Sequence, residues 1–260
     1  MVTVIACMFF GAVSGSAPAT VAAIGSIMIP MMVSNGYNKY YATGLTCCAG
    51  GLGVIVPPSY PMVLYGVTCN VSVGKLFIAG LGPAFVVGGL LMLINYVMCK
   101  RWGIKGDTKL ELKNIASSFW DAKWALIMPV IILGGIYGGV FSATEAAAVA
   151  AVYGLFVGTV IYKKLKWKDI VELLYDTAKS TGGLMLIIGG ATIFSYACTR
   201  YGISTSVQAL LENCGKGGFL VIINIVLLIA GCFMDANSNM YIFVPIMYPV
   251  AREFGIDPIQ

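Results

Sequence analysis

The sequence predicts an all-α integral membrane protein, and three observations carry that prediction. Of its 260 residues, 59% are hydrophobic and only 10% are charged, an apolar share above and a charged share below those of ordinary globular domains. The mean hydropathy is +0.89, so water is a poor solvent for most of the chain. The apolar residues also fall in long, almost uncharged runs, from Leu76 to Cys99, Ala125 to Val140, Glu145 to Tyr162 and Gly182 to Cys198. A helix needs roughly 20 apolar residues to cross about 30 Å of hydrocarbon. The four runs approach or meet that length, and each is read as a membrane helix.

Several function classes are excluded by the same inventory. Histidine is absent, which removes the commonest general base and metal ligand. The eight cysteines are scattered, with only Cys47 and Cys48 adjacent, so no metal-ligand or CxxC spacing appears. They read as small apolar helix residues. The net charge of +5 is spread over helix ends and forms no groove for nucleic acid. An intramembrane serine protease needs a histidine or lysine base, and the lysines lie at helix ends. An aspartyl protease needs two intramembrane carboxylates, and only Asp235 lies inside an apolar stretch away from the loops. The chain is not expected to be an enzyme, nor to carry an organic cofactor or a transition metal. Its abrupt start in Val2 to Phe10, without a charged leader, and its end just past Gly255-Ile256-Asp257-Pro258 suggest a partial chain.

Charge sets the topology. Lys100, Arg101, Lys105, Lys109, Lys113 and Lys123 form one basic cluster, and Lys163, Lys164, Lys166 and Lys168 a second. Positive residues stay on the cytoplasmic side, so 125 to 140 and 145 to 162 make one outward and one inward crossing, with an external link around Ser142. Backwards, 76 to 99 runs inward and 40 to 68 outward from an internal Asn35-Gly36-Tyr37 turn. Forwards, 182 to 198 runs outward. Amphipathic stretches lie between: Leu112, Ile115, Phe119; Ile170, Leu173, Leu174; and Val207, Leu210, Leu211, Cys214. Spacings of three and four place each set on one helix face, as interfacial connectors or as arms joining moving parts. Trp120, Trp124 and Trp167 fit interface anchoring, as do Arg200 and Tyr201.

Two segments are not simple spans. Val2 to Val33 is interrupted at Gly11 to Pro18, and Gly218 to Val250 at Gly231 to Asn239. Each reads as a re-entrant hairpin. Irregular backbone at membrane depth leaves polar groups unpaired, so it survives only inside protein or beside a water-filled or ion-filled cavity. The return arms resemble one another, Ile24 to Met32 before Asn35-Gly36-Tyr37 and Met240 to Met247 before Phe254-Gly255-Ile256. Charge parity returns the first to the cytoplasm and the second to the outside, an inverted-topology repeat of the kind secondary transporters use. The domains expected are 1–69, a hairpin plus a broken helix; 70–181, scaffold and arm helices; and 182–260, a crossing, an arm and the second hairpin.

Three places offer ligands. Ser14-Gly15-Ser16 sets two hydroxyls around a glycine that can turn the chain, which makes either a tight turn or an ion site. Gly50 to Ser59 interrupts the 40 to 68 segment, and Pro57-Pro58 removes N–H donors and frees carbonyls, as a plain kink or as cation ligands. Asp235, with Asn237, Ser238 and Asn239 beside it, is either a helix cap or a cation or substrate site, because an ionised group there costs roughly 2.5 to 3.5 kcal/mol without a partner. Ser142-Ala143-Thr144-Glu145 matches a capping box and is given a structural role.

The motif order resembles one known family. Ser14-Gly15-Ser16-Ala17-Pro18-Ala19-Thr20, Pro30, Gly36-Tyr37, Leu52-Gly53, Pro57-Pro58-Ser59, Tyr65-Gly66, Thr144-Glu145-Ala146-Ala147-Ala148, Pro245 and Gly255-Ile256-Asp257-Pro258 follow as in the large membrane subunit of TRAP transporters, the tripartite ATP-independent periplasmic family. The resemblance spans essentially the whole chain. The scaffold helices before the first hairpin and the second Pro-Pro helix of that family have no counterpart in it. The resemblance implies a sodium-driven elevator in the bacterial inner membrane, working with a small membrane subunit, the Q subunit. A periplasmic binding protein would deliver an organic acid, a C4-dicarboxylate or a sugar acid such as sialic acid. It implies sodium ligands at Ser14, Gly15, Ser16, Gly53, Pro57 and Pro58, and near Asp235 and Asn237. Substrate would lie between the hairpin tips, by Ser16, Ser59, Asn237 and Ser238. A sodium/carboxylate symporter that needs no binding protein is the alternative, and the motif order argues against it.

Overall fold

The computed structural model describes residues 1–104, 117–120, 122–202, 206 and 215–259, and every regular element among them is helical. In chain order these are α1 (Val2–Ser14), α2 (Ala17–Ser34), α3 (Lys39–Gly50) with a 3-10 turn (Gly51–Val54), α4 (Tyr60–Cys69) and α5 (Val73–Trp102). There follow α6 (Lys123–Tyr137), α7 (Ala143–Phe156) with a π turn (Val157–Ile161), α8 (Trp167–Arg200), α9 (Gly215–Gly231) and α10 (Ala236–Glu253). Among the described residues, four stretches are long and apolar enough to cross a membrane, namely Ala17–Ser34, Val73–Trp102, Ala143–Ile161 and Trp167–Cys198.

The chain divides into two compact units, Met1–Val63 with Val73–Lys164, and Leu64–Ser72 with Leu165–Gln260. Of the domain limits read from the sequence, 69/70 falls at the end of α4 and 181/182 inside α8.

In the first unit α1, α2, α3 and the 3-10 turn pack around Val4, Cys7, Met32, Ala42, Leu45, Ala49 and Leu52, all buried, and α5 adds Ala84. Lipid tails are as apolar as leucine, so close van der Waals packing at small residues, not a water-driven hydrophobic effect, has to hold such helices together. The glycines show it. A side chain at Gly50 would overlap Val21, and one at Gly11 would stand 2.8 Å from the Gly53 Cα. Helices α6 and α7 form an antiparallel pair tied by a hydrogen bond that the Tyr153 hydroxyl donates to the Trp124 carbonyl at 2.8 Å. The capping box forms as expected: the Glu145 N–H donates to Ser142 Oγ at 3.3 Å, and the Ser142 N–H to Glu145 Oε2 at 2.8 Å. In the second unit α8 and α9 both pack on α10, with Phe219, Val250 and Ile256 as the buried centre.

One expectation needs correcting. The stretch around Ile170, Leu173 and Leu174 is not a separate segment but the first part of α8, a continuous helix of 34 residues. No proline or glycine stands between Trp167 and Gly182, so nothing there breaks the backbone ladder. The run 125 to 140 gives a helix of 15 residues, about 22 Å at 1.5 Å per residue, close to the length of the run itself. It ends where Gly138 caps it and Gly139 takes a left-handed φ of 68°. Leu112, Ile115, Val207, Leu210, Leu211 and Cys214 lie outside the described residues.

Candidate functional site at the helix breaks

The first interruption is narrower than its sequence suggests, because α1 runs to Ser14 and only Gly15 and Ser16 separate it from α2. Gly15 has φ 62° and ψ 12°, a left-handed conformation, and its N–H still donates to the Gly11 carbonyl at 2.8 Å. A side chain would be strained at that φ. Ser16 is extended, with φ −133° and ψ 126°, and caps α2, its Oγ accepting the Ala19 N–H at 3.5 Å. Pro18 then sits in the first turn, where a missing N–H costs nothing.

Oxygen atoms converge there. Thr20 Oγ1 donates to the Ser16 carbonyl at 2.7 Å, and Ser14 Oγ lies 3.1 Å from Thr20 Oγ1 and 3.3 Å from the Ser16 carbonyl. Thr20 is fully buried. The second wall is the interruption between α3 and α4, which comprises the 3-10 turn Gly51–Val54 and an irregular stretch with a cis Pro57-Pro58 bond. Gly53 packs on the first break so closely that a Cβ there would stand 2.8 Å from the Ser16 carbonyl oxygen. Opposite, a Cβ on Gly15 would stand 3.0 Å from the Pro58 carbonyl oxygen. Ser59 is buried and closes the stretch by donating to the Val54 carbonyl at 2.6 Å.

Tertiary folding thus brings together Ser14, Gly15, Ser16, Gly53, Pro58 and Ser59, with Pro57 buried beside them. Thr20 belongs with this group, yet the sequence reading assigns it no ligand role. The available signal was its place four residues after the cap Ser16, one helical turn on. The donors in this group are hydroxyls and carbonyls, with no carboxylate among them. That is hard, uncharged oxygen chemistry, suited to a hard cation bound weakly enough to leave.

The second break, Cys232 to Asp235, separates α9 from α10. Asp235 is the N-cap of α10. Its carboxylate accepts the Asn237 N–H at 3.0 Å and a hydrogen bond from the Ser238 hydroxyl. Of the two roles weighed for Asp235, the geometry contains the cap, with the carboxylate at the positive end of the helix. Asn237, Ser238 and Asn239 lie in the first turn of α10 and not in the break, and Oδ1 of Asn237 and of Asn239 is buried without a hydrogen-bond partner. A buried carbonyl-type oxygen without a partner is an acceptor open to a ligand.

Helices α2 and α10 share a definite register. Each has 18 residues, begins after a side-chain N-cap, Ser16 or Asp235, and carries a proline at its fourteenth position, Pro30 or Pro249. Each is followed two residues after its end by a glycine of positive φ, Gly36 at 85° or Gly255 at 66°. Pro30 thus corresponds in register to Pro249.

Residues 1–260 match the family described as tripartite ATP-independent periplasmic transporter, DctM component. The chain is 44% identical to the C4-dicarboxylate TRAP transporter large permease protein DctM of Pseudomonas aeruginosa, covering 99% of this chain and 61% of that protein. It is 42% identical to the isethionate TRAP transporter permease protein DctMQ of Oleidesulfovibrio alaskensis, covering 100% of this chain and 41% of that one. It is 36% identical to the sialic acid TRAP transporter large permease protein SiaM of Vibrio cholerae, covering 100% of this chain and 61% of that one. The chain thus spans less than two thirds of the length of each of these relatives. It belongs to the DctM component family of tripartite ATP-independent periplasmic transporters, permeases of the bacterial inner membrane.

Proposed function

We propose that this chain forms the ion-coupled, substrate-carrying part of a TRAP permease that imports organic acids with sodium. The observation that carries the reading is the packing of Gly15 and Ser16 against Gly53, Pro58 and Ser59, which gathers neutral oxygen donors where two helices are interrupted. Unwound backbone carbonyls at broken helices are how secondary transporters hold sodium. Ser14, Gly15, Ser16, Gly53, Pro57 and Pro58, with Thr20, would form one sodium site. Asp235 and Asn237 would contribute to a second.

The re-entrant path of α1 and α2 is part of this proposal. Helix α1 has 13 residues, about 20 Å long at 1.5 Å per residue, and does not span the hydrocarbon core alone. The register shared by α2 and α10 supports a repeat, and the charge parity of the two basic clusters makes it an inverted one, the arrangement of an elevator in which the hairpins would move as the carrying part. The candidate substrate contacts are Ser16 and Ser59 in the first unit and Asn237 and Ser238 in the second, each pair beside a helix N-terminus, of α2 or α10, that favours a carboxylate. The relatives' names point to C4-dicarboxylates or a sugar acid such as sialic acid as cargo. The tripartite family description points to a small membrane subunit and a periplasmic binding protein as partners.

The test is uptake of radiolabelled C4-dicarboxylates and sugar acids into proteoliposomes holding the permease and its small subunit, with and without sodium and the binding protein. Uptake that needs both supports the proposal. Sodium-driven uptake without a binding protein would favour a single-component symporter. Ser16→Ala and Pro58→Leu should each raise the sodium concentration needed, and an unchanged requirement in both would remove the first sodium site.

A further inference from the structure

Two motifs of the sequence play no part in the site above, Tyr65-Gly66 in α4 and Gly255-Ile256-Asp257-Pro258 after α10. They stand 193 positions apart, and within the second unit they meet: the Tyr65 hydroxyl donates to the Pro258 carbonyl at 2.8 Å. A second bond runs the other way. The Tyr248 hydroxyl, from α10, donates to the Cys69 carbonyl at 3.3 Å. Cys69 is the last residue of α4, so its carbonyl lacks an intrahelical partner and would otherwise be an orphan acceptor. The two rings meet edge to face, with centroids 6.2 Å apart and planes at 84°, a favoured aromatic geometry. Each tyrosine thus fastens the other's element.

The far anchor is rigid. Gly255 turns the chain with a φ of 66°, the Ile256 N–H returns to the Ala251 carbonyl at 3.0 Å, and the Asp257 carboxylate accepts the Ile259 N–H at 2.8 Å. Ile256 is buried with Phe219 and Val250. The turn that receives the Tyr65 hydroxyl is therefore part of the packed end of α9 and α10.

We propose that Tyr65 is a positioning residue for ion coupling: with Tyr248 it fixes the C-terminal half of α4 to the return arm of the second hairpin. The proposal rests on the sodium-coupled reading above. Helix α4 has ten residues and starts directly after Pro57-Pro58-Ser59. A short helix held at Tyr65 and Cys69 passes its orientation along its own backbone to the stretch that lines the first oxygen cluster. Releasing the hydroxyl lets that stretch settle in arrangements that bind the ion less well.

Tyr65→Phe tests this, because it keeps the ring and the edge contact and removes only the donor. In proteoliposomes holding the permease, its small subunit and the binding protein, the sodium concentration for half-maximal uptake should rise roughly three- to tenfold, the factor one net hydrogen bond represents in an equilibrium. The maximal rate at saturating sodium should hold. Hydrogen exchange at the backbone amides of 255–259 should quicken in the same variant. Faster exchange with an unchanged sodium requirement would make the contact merely structural and overturn the proposal. Unchanged exchange would overturn it too, since the contact would not restrain the turn. If uptake by the unsubstituted permease ignores sodium, the functional reading falls with its coupling role, while the exchange result still reports on the clamp separately.

Discussion

The Gly53 backbone lies against Ser16 across the first helix break, so that a Cβ atom at position 53 would stand 2.8 Å from the Ser16 carbonyl oxygen and 2.5 Å from Thr20 Oγ1. Backbone on one side and a buried hydroxyl on the other leave no flexible atom to give way. Gly53→Ala should therefore destabilise the permease by about 1–3 kcal/mol, the usual cost of overpacking, and abolish uptake. Thermal unfolding in detergent measures the first effect. Gly51→Ala is the control, because nothing lies within 4 Å of a Cβ there, and it should leave both properties intact.

Asp235 combines a cap and a charge, and two substitutions separate them. Asparagine caps helices about as well as aspartate, whereas alanine costs about 1 kcal/mol. If Asp235 serves a cation, as proposed, Asp235→Asn should keep the melting temperature but raise the sodium requirement of uptake, and Asp235→Ala should damage both. A sodium requirement unchanged in Asp235→Asn would leave the residue with its capping role alone.

Ser142 and Glu145 form a capping box far in sequence from either break. Ser142→Ala should cost about 1 kcal/mol of stability without moving the sodium dependence of uptake. A changed sodium dependence would show that the start of α7 takes part in ion coupling.

Tyr37, in the turn between α2 and α3, lies with its hydroxyl 2.8 Å from Cys99 Sγ of α5. Burial first, and the bond to Cys99 second, push its pKa up to about 12. The unfolded chain ionises near pH 10. Below that value both states keep the proton, so the neutral hydroxyl carries no pH dependence. Between about 10 and about 12 only the unfolded state loses it, so stability falls as pH rises. Tyr37→Phe should flatten this part of an alkaline unfolding curve, measured by tryptophan fluorescence, and lower stability slightly at neutral pH.

Much of the fold is legible in the sequence because membrane helices have one dominant requirement, an uninterrupted apolar run. Leu76 to Cys99 became α5, and the capping box at Ser142 is local chemistry with a fixed spacing, so both could be read directly. Continuity was harder. Ile170, Leu173 and Leu174 look like an interfacial segment, because amphipathic spacing shows which face is apolar and not whether the helix goes on. The absence of a breaker before Gly182 decided that α8 continues.

The candidate site divides along the same line. Glycines, prolines and small polar residues mark where a helix must stop, so Gly15, Pro57-Pro58 and Asp235 announce themselves from the sequence. Which stop faces which does not follow from local propensity, because it depends on backbones approaching at Gly11, Gly15 and Gly53. The sequence alone determined that this chain lives in a bilayer, that its helices break near Ser14, Pro57 and Asp235, and that its motifs run in the order of one transporter family. Tertiary structure decided that the breaks near Ser14 and Pro57 share one oxygen cluster and that Thr20 joins it. The reason is physical: a break is a property of a few neighbouring dihedrals, whereas a site is a property of distance between segments that only packing brings together.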